Sequence, residues 1–457
     1  MRRKIYKKFL GIVAMMMVLY LATTDVSASE KNENMDLLLN STVDLKQVKT
    51  EIKEINPDSE IILIPEIYLV RVEGVNAKEK EAIINNEYIN SFIIEQGILP
   101  SFEVDQYIPK GLSESNSNIQ TYNTILKNRM SELELFEAMG WHIDTVTNNR
   151  ESLNLSQGEN VSIALIDSGI DTTHPVLQGQ INADKAKSYV VGDESIIDTN
   201  GHGTMVAGVL SQIAPKAQIV PYRVIGDSSG ESLWTIEAII DAVNDGNEVI
   251  NMSLGTYKAT NNTNEAITIE SFQRAIDYAE SKGKIVVASA GNEGRDLDKY
   301  YEEDGIIHLP GSLDGVISVS AENNNNIASY SNYGSDVTFT APGGDMVFSN
   351  EGILDLNQLI YCTYPKNMDN GLEVLGIPQG YTFSYGTSLS TPAVSAGVAC
   401  IVSIYKQKAL PIQPDEIVKV LKDSCVDLGE LGYDRFFGNG LIEINDSLLS
   451  ILGQNNQ

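Results

Sequence analysis

The sequence is poor in cysteine and in positive charge, and each scarcity excludes a class of protein. Its cysteines are Cys362, Cys400 and Cys425, which allow one disulfide at most and lack the spacing of a zinc site or of a thiol nucleophile beside a histidine. Lys and Arg number 32 against 62 Asp and Glu, for a net charge of −30. Such an acidic surface repels nucleic acid and anionic membranes and favours basic peptides.

The cysteines have separate expected roles. Cys400 lies in an apolar, small-residue run over 393–404 that predicts a buried helix, so packing is its expected role. Cys362 with Cys425 is the one disulfide pairing that the sequence leaves open.

The first 28 residues predict a secretory signal peptide. A basic start is followed by an apolar stretch over 9–22 and the small-residue exit Val26-Ser27-Ala28, so cleavage after Ala28 is expected. The alternative is an uncleaved anchor, but the stretch is short of the roughly 20 residues that a span needs. The chain ends without an apolar tail. We therefore expect an extracellular, secreted monomer with no stable membrane insertion.

The rest of the chain divides into three regions. Residues 29–112 carry strand-like runs over 61–64 and 67–72 and a helical stretch over 77–86, which predict a small α+β unit. Residues 113–139 begin with a polar run and are interpreted as a linker and processing region. Residues 140–457 are interpreted as the catalytic domain.

That last region alternates apolar runs with helical segments. The apolar runs are residues 161–166, 219–224, 249–252, 285–290 and 316–320. The helical segments are residues 204–211, 232–244 and 269–281. Runs this apolar fit a buried parallel sheet, so the pattern predicts a doubly wound α/β domain with a mainly parallel central sheet. Sites in such domains lie at the carboxyl ends of the strands.

Three motifs lie at such positions. Asp167-Ser168-Gly169 ends a predicted strand, while His202-Gly203-Thr204 and Gly386-Thr387-Ser388 each open a small-residue helix. Singly, such a serine is usually a cap and such a histidine is packed or solvated, while such an aspartate is either a loop cap or a functional carboxylate. Together they supply a nucleophile, a base and the carboxylate that orients the base.

These motifs, with Pro392, resemble the active-site signatures of the subtilase family, and the likeness runs from about residue 140 to 445. The resemblance implies a serine endopeptidase with Ser388 as nucleophile, His202 as base and Asp167 as its orienting acid. No cofactor is then required. It also implies that Asn292 donates to the tetrahedral oxygen together with the backbone N–H of Ser388.

The family resemblance extends to the substrate groove. One expected wall pairs with extended peptide backbone, and the other lines the pocket for the residue before the cut. The first consists of Ser253, Leu254 and Gly255, and the second of Ala288, Ser289, Ala290 and Gly291. Many relatives have glycine where this chain has Thr256, which leaves the depth of the groove open.

Resemblance also gives the N-terminal unit a role. Subtilases are commonly made with a pro-segment of this size that assists folding and blocks the cleft, and residues 29–112 resemble one in architecture. The alternative is an ordinary accessory domain. Self-processing is expected between about Tyr107 and Ser131.

The sequence is compatible with three functions. Gly140-Trp141, Val146-Thr147 and residues 438–442 resemble proteases that remove leader peptides from lantibiotic precursors. A broad degradative protease is the alternative, and a catalytically inactive peptide-binding protein is disfavoured by the intact triad. An acidic run from Glu293 to Asp304 lies next to the expected specificity wall, so a basic residue before the cut, most often Arg, is predicted.

Calcium binding is left open. Subtilases often hold structural Ca²⁺, but Val176 stands where one family ligand, an aspartate, is expected. Asp171, Asp193 and Asp198 are the carboxylates that could serve a different site.

Overall fold

The computed structural model describes residues 33–103, 131–227, 229–350, 352–373 and 376–453. The predicted signal peptide, the end of the pro-segment and most of the linker lie outside these ranges and stay predictions. The chain divides into two compact units, residues 1–98 and 99–457. Each unit is described by itself.

The first unit is a small α+β fold whose four strands form an antiparallel sheet in the order β2, β3, β1, β4. The strands are β1 (Glu33–Leu39), β2 (Glu60–Ile64), β3 (Leu69–Val75) and β4 (Ile93–Gly97). The helices are α1 (Leu45–Ile55), α2 (Ala77–Asn85) and α3 (Glu87–Asn90). The sequence predicted β2, β3 and α2 but missed β1 and α1.

Strand β1 was missed because it carries a buried charge. Asp36 is fully buried, and Arg71 lies directly opposite on β3. The guanidinium donates to both carboxylate oxygens, at 2.8 and 2.9 Å. A charge in an otherwise apolar run argues against a central strand, and only this pairing makes its burial tolerable.

The second unit is a doubly wound α/β domain, as predicted. Its central sheet has the order β15, β14, β12, β10, β6, β8, β7, with β16 pairing with β14. All of its pairings are parallel except β14 with β15. The strands of this unit are β5 (Ser101–Glu103), β6 (Ser162–Asp167), β7 (Lys187–Ser188), β8 (Gln218–Arg223), β9 (Ser229–Glu231), β10 (Val249–Met252), β11 (Thr256–Ala259), β12 (Ile285–Ser289), β13 (Ile306–Leu309), β14 (Val316–Asn323), β15 (Asn326–Ile327), β16 (Val337–Pro342), β17 (Ile360–Thr363) and β18 (Tyr381–Ser384).

The helices of this unit are α4 (Glu132–Ala138), α5 (Trp141–Val146), α6 (His202–Ile213), α7 (Ser232–Asn244), α8 (Thr263–Ser281), α9 (Leu297–Asp304), α10 (Thr387–Gln407), α11 (Pro414–Ser424) and α12 (Ile444–Leu452). Those that pack against the central sheet and bury its apolar side chains include α6, α7, α8 and α10. Helix α10 is the one described helix long and apolar enough to cross a membrane by length and composition, and that segment is wholly buried in this unit. It therefore reads as a core helix.

The three cysteines differ in how far they are buried in the core of this unit. Cys400 is fully buried on α10 in the main hydrophobic cluster, as predicted. Cys362 is also buried there, on β17, whereas Cys425 is partly exposed. All three lie within the described residues and are free thiols. The disulfide that the sequence left open, Cys362 with Cys425, is therefore not formed, and burial raises the pKa of the Cys400 thiol to about 12.

Candidate active site

An aspartate and a histidine meet at the carboxyl edge of the sheet. Asp167 is the last residue of β6, and His202 is the first residue of α6. The His202 Nδ1 lies 2.8 Å from Asp167 Oδ1, and both side chains are buried. We assign the Nδ1 proton as donated to this carboxylate, which leaves Nε2 as the basic nitrogen.

The pKa of His202 reflects two opposing effects. Burial acts to lower it, but the charge and hydrogen bond of Asp167, helped by the charge of Asp198, outweigh burial and raise it above its ordinary value. A raised pKa strengthens the imidazole as a base toward a serine hydroxyl.

Asp198 fastens together the two segments that carry this pair. Its Oδ1 accepts from Ser168 Oγ at 2.8 Å and from Gly201 N at 2.7 Å. Its Oδ2 accepts from Thr204 N and Thr204 Oγ1 at 2.9 and 2.7 Å. The side chain is fully buried. From the sequence, Asp198 is predicted only as a possible calcium ligand, and nothing in the sequence indicates this structural role.

The other candidate calcium ligands are also bonded to protein donors. Asp193 pairs with Arg223 at 2.6 Å. Asp171 accepts from Thr173 and from the backbone N–H of Lys366. Among the described residues no group of three or more His, Cys, Asp or Glu side chains could hold a metal ion. Structural calcium stays a prediction, since Ca²⁺ also takes backbone and amide oxygens as ligands.

Ser388 lies in the first turn of α10, where the helix dipole favours developing negative charge. Its side chain is buried, at 4% exposure. Helix α10 packs against α6. The first turns of both helices are tied to loops that follow strands of the one parallel sheet.

The side-chain amide of Asn292 is held in one orientation. Its Oδ1 accepts from Thr387 N at 2.9 Å and from Thr387 Oγ1 at 2.8 Å. The Nδ2 therefore points away from Thr387, beside the start of α10. An amide donor next to the N–H of Ser388 is the geometry that a tetrahedral oxygen requires.

The two predicted groove walls both begin at the carboxyl edge of the central sheet. Strands β10 and β12 are parallel neighbours, so Ser253-Leu254-Gly255 and Ala290-Gly291 emerge at one edge. Ser289 Oγ, at the end of β12, donates to Leu254 O at 3.4 Å. Asn251 of β10 accepts from Ser395 of α10 at 2.8 Å, which ties this wall to the helix that carries Ser388.

Two of the six acids in the run beside the second wall are held in ion pairs. Asp296 and Asp298 pair with Arg435, the latter at 2.7 Å. Glu293 is exposed, and partial desolvation raises its pKa above the ordinary value although the charge of Arg295 opposes that rise. The remaining acids are exposed to solvent, and these are Glu302, Glu303 and Asp304.

A buried Asp–His pair at the start of one helix, and a serine in the first turn of a second helix packed against it, on a doubly wound sheet, are features of one class of serine hydrolase. The subtilase family matches residues 158–440, more than half of the chain. The chain belongs to the subtilase family of serine proteases.

Individual proteins of known name or structure are similar to different shares of this chain. The epidermin leader peptide-processing serine protease EpiP of Staphylococcus epidermidis is 26% identical, over 96% of this chain and 98% of that protein. The nisin leader peptide-processing serine protease NisP of Lactococcus lactis is 30% identical, over 58% of this chain and 44% of that protein. The crystal structure of a lanthipeptide protease is 35% identical with a TM-score of 0.64, covering 68% of this chain and 94% of that chain.

Proposed function

We propose that this protein is a secreted serine endopeptidase that removes the leader peptide from a lantibiotic precursor. The observation that supports this most is the extent of the likeness to EpiP, which includes the N-terminal unit as well as the catalytic one. The alkaline protease of Alkalihalobacillus alcalophilus, at 28% identity, matches 81% of this chain, against 96% for EpiP. A relative whose printed name carries no processing role thus accounts for somewhat less of the molecule.

The proposed mechanism assigns one role to each residue of the site. His202 takes the proton of Ser388 as the hydroxyl oxygen attacks the peptide carbonyl, and Asp167 stabilises the imidazolium that forms. Asn292 Nδ2 and the N–H of Ser388 bind the tetrahedral oxygen. His202 then donates its proton to the departing amine and later activates the water that hydrolyses the acyl-enzyme.

We also propose that residues 29–112 are a pro-segment that the enzyme removes from itself. Residues Ser101–Glu103 pair antiparallel with Ser229–Glu231, so the chain just before the expected cut lies extended along a strand, as a peptide substrate does. A cut between about Tyr107 and Ser131 would follow this strand. Secretion as a monomer belongs to the same proposal.

The residue before the cut is less directly supported. The prediction of a basic residue rested on the acidic run, and the pairing of Asp296 and Asp298 with Arg435 leaves Glu293 as its main support. A basic residue before the cut therefore stays a prediction.

The decisive experiment compares the wild type with Ser388→Ala. Wild-type precursor protein should lose its N-terminal unit and should cut a lantibiotic precursor peptide at one bond, as measured by mass spectrometry. Ser388→Ala should do neither. Ser390→Ala, a buried serine two residues further on in α10, is the matched control and should behave as wild type.

Other outcomes separate the alternatives. Cleavage of denatured proteins at many sites, as fast as cleavage of the precursor peptide, would favour the degradative protease. Binding of the precursor without hydrolysis by the wild type would favour the inactive peptide-binding protein. Equal self-processing by Ser388→Ala in a protease-free preparation would assign the maturation cut to another enzyme.

A further inference from the structure

Two residues that sequence analysis did not single out lie between the groove walls. His308 on β13 and Tyr257 on β11 are directly opposite in an antiparallel pair, with ring centroids 4.9 Å apart. A Cβ added to Gly255 would collide with His308 Nε2, and one added to Gly291 would lie 3.2 Å from it. The imidazole therefore reaches the backbone of both walls and forms the floor between them.

This floor makes the pocket short. His308 is only 3% exposed, so its ring occupies space that a long substrate side chain would otherwise enter. The glycines on either side permit the ring to pack this closely, since any side chain there would displace it. A large aromatic residue before the cut is disfavoured on volume alone.

The protonation of His308 follows from its surroundings. Its Nδ1 is buried and has no hydrogen-bond partner among the described residues. An unpaired buried N–H costs more than an unpaired acceptor nitrogen, so we assign the proton to Nε2, which faces the walls. Burial lowers the pKa of His308 to about 4, and the ring is neutral at pH 7.

Tyr257 adds a second donor. Its hydroxyl accepts from Asn332 Nδ2 at 2.6 Å, which leaves the phenolic hydrogen to be donated. That hydroxyl lies 2.8 Å from where a Cβ on Gly291 would be. Asn332 is fully buried and is itself fixed by Ala290 O, at 2.8 Å.

We propose that this pocket selects a side chain that accepts hydrogen bonds, Glu or Gln, immediately before the cut, with His308 and Tyr257 as the donors. The inference rests on the proposed function, because it requires that Ser388 attacks a peptide held between these walls. A guanidinium or ammonium group offers only donors and would leave both protein donors unpaired.

The expected ranking follows from hydrogen bonding. Glu should exceed Gln, because a carboxylate accepts more strongly than an amide. Both should exceed Leu, of similar size but without an acceptor, by about 10-fold or more in kcat/KM. The peptide with Arg before the cut should be cleaved more slowly than the peptide with Gln there. Because the donors are neutral, the preference for Gln over Leu should persist in high salt.

The experiment measures kcat/KM on matched peptides that differ only in Glu, Gln, Leu, Phe or Arg before the cut. Tyr257→Phe keeps the ring and removes one donor, so the Gln-to-Leu ratio of kcat/KM should fall several-fold. His308→Ala should lower the ratio and speed cleavage after Phe, because the pocket deepens. Tyr278→Phe, on helix α8, removes a hydroxyl that donates to Asn244 at 2.7 Å; it is the matched control and should keep the wild-type ratio.

The outcomes distinguish this inference from the proposed function. A wild-type preference for Arg or Phe, or a Gln-to-Leu ratio unchanged in Tyr257→Phe, overturns the inference and leaves the serine protease intact. Failure of the wild type to cut any peptide or precursor overturns the proposed function itself. If His308→Ala does not fold, Tyr257→Phe alone decides.

Discussion

Two buried histidines in the second unit, His202 and His308, have pKa values shifted in opposite directions. We propose the first for catalysis and the second for substrate recognition. His202 lies 2.8 Å from a buried carboxylate and has a raised pKa. For His308 burial is the sole cause of a pKa lowered to about 4. Burial disfavours the charged imidazole at both positions, and only a bonded carboxylate reverses the effect. The first ring is therefore suited to carry a proton, and the second to act as a fixed neutral donor.

The largest expected effect falls on the catalytic side of this comparison. His202→Ala should lower kcat on every peptide by about 10⁶, much as Ser388→Ala should, because base and nucleophile act as one unit. The double variant should lose little more. Steady-state kinetics on the peptide panel would measure this, and a loss confined to one class of peptide would mean that His202 contributes to recognition instead.

The oxyanion donor should show a smaller, equally general effect. Asn292→Leu should lower kcat by about 10²–10³ with little change in KM, because its hydrogen bond strengthens only in the transition state. The ratio of kcat/KM between the Gln and Leu peptides should stay at its wild-type value. An unchanged kcat would remove Asn292 from the oxyanion site.

The variant Asp198→Asn tests how Asp198 supports His202 and raises its pKa. Asp198→Asn weakens the bonds that hold Ser168 and Thr204 and should cost about 10- to 100-fold in kcat. It also removes a negative charge that helps to raise the pKa of His202. The neutral, active imidazole then persists to lower pH, so the acid limb of the kcat/KM profile should move to lower pH. A lower rate with an unmoved limb would indicate a packing role only.

The smallest effect concerns the acidic run. Arg435→Gln releases Asp296 and Asp298 from their ion pairs. Because Arg435 is partly exposed, unfolding free energy should fall by no more than about 1 kcal/mol. Cleavage after Arg should rise less than about threefold, and salt should erase the gain. Denaturant unfolding and the Arg peptide measure both, and a larger gain would restore the basic-residue prediction.

Much of the catalytic unit was predictable because its patterns are local. Residues 249–252 and 232–244 were predicted as strand and helix with the bounds that β10 and α7 have. Each apolar run reports its own burial, since a strand covered on both faces needs no polar alternation. The triad candidates and Asn292 came from short motifs at the ends of those runs, and their catalytic roles stay predictions until the variants are tested.

What the sequence could not supply depends on contacts between distant segments. Asp36 gave no sign that Arg71 would neutralise it, and the acidic run gave no sign that Arg435 would take up two of its members. His308 resembles any histidine in an apolar strand until β13 pairs with β11 and sets its ring between Gly255 and Gly291. The fold class could be read from local patterns, and the proposed reacting groups from short motifs of suitable chemical type. Which charges are neutralised, and which side chains lie between Gly255 and Gly291, could be known only from the folded chain, because partners far apart in sequence meet only there.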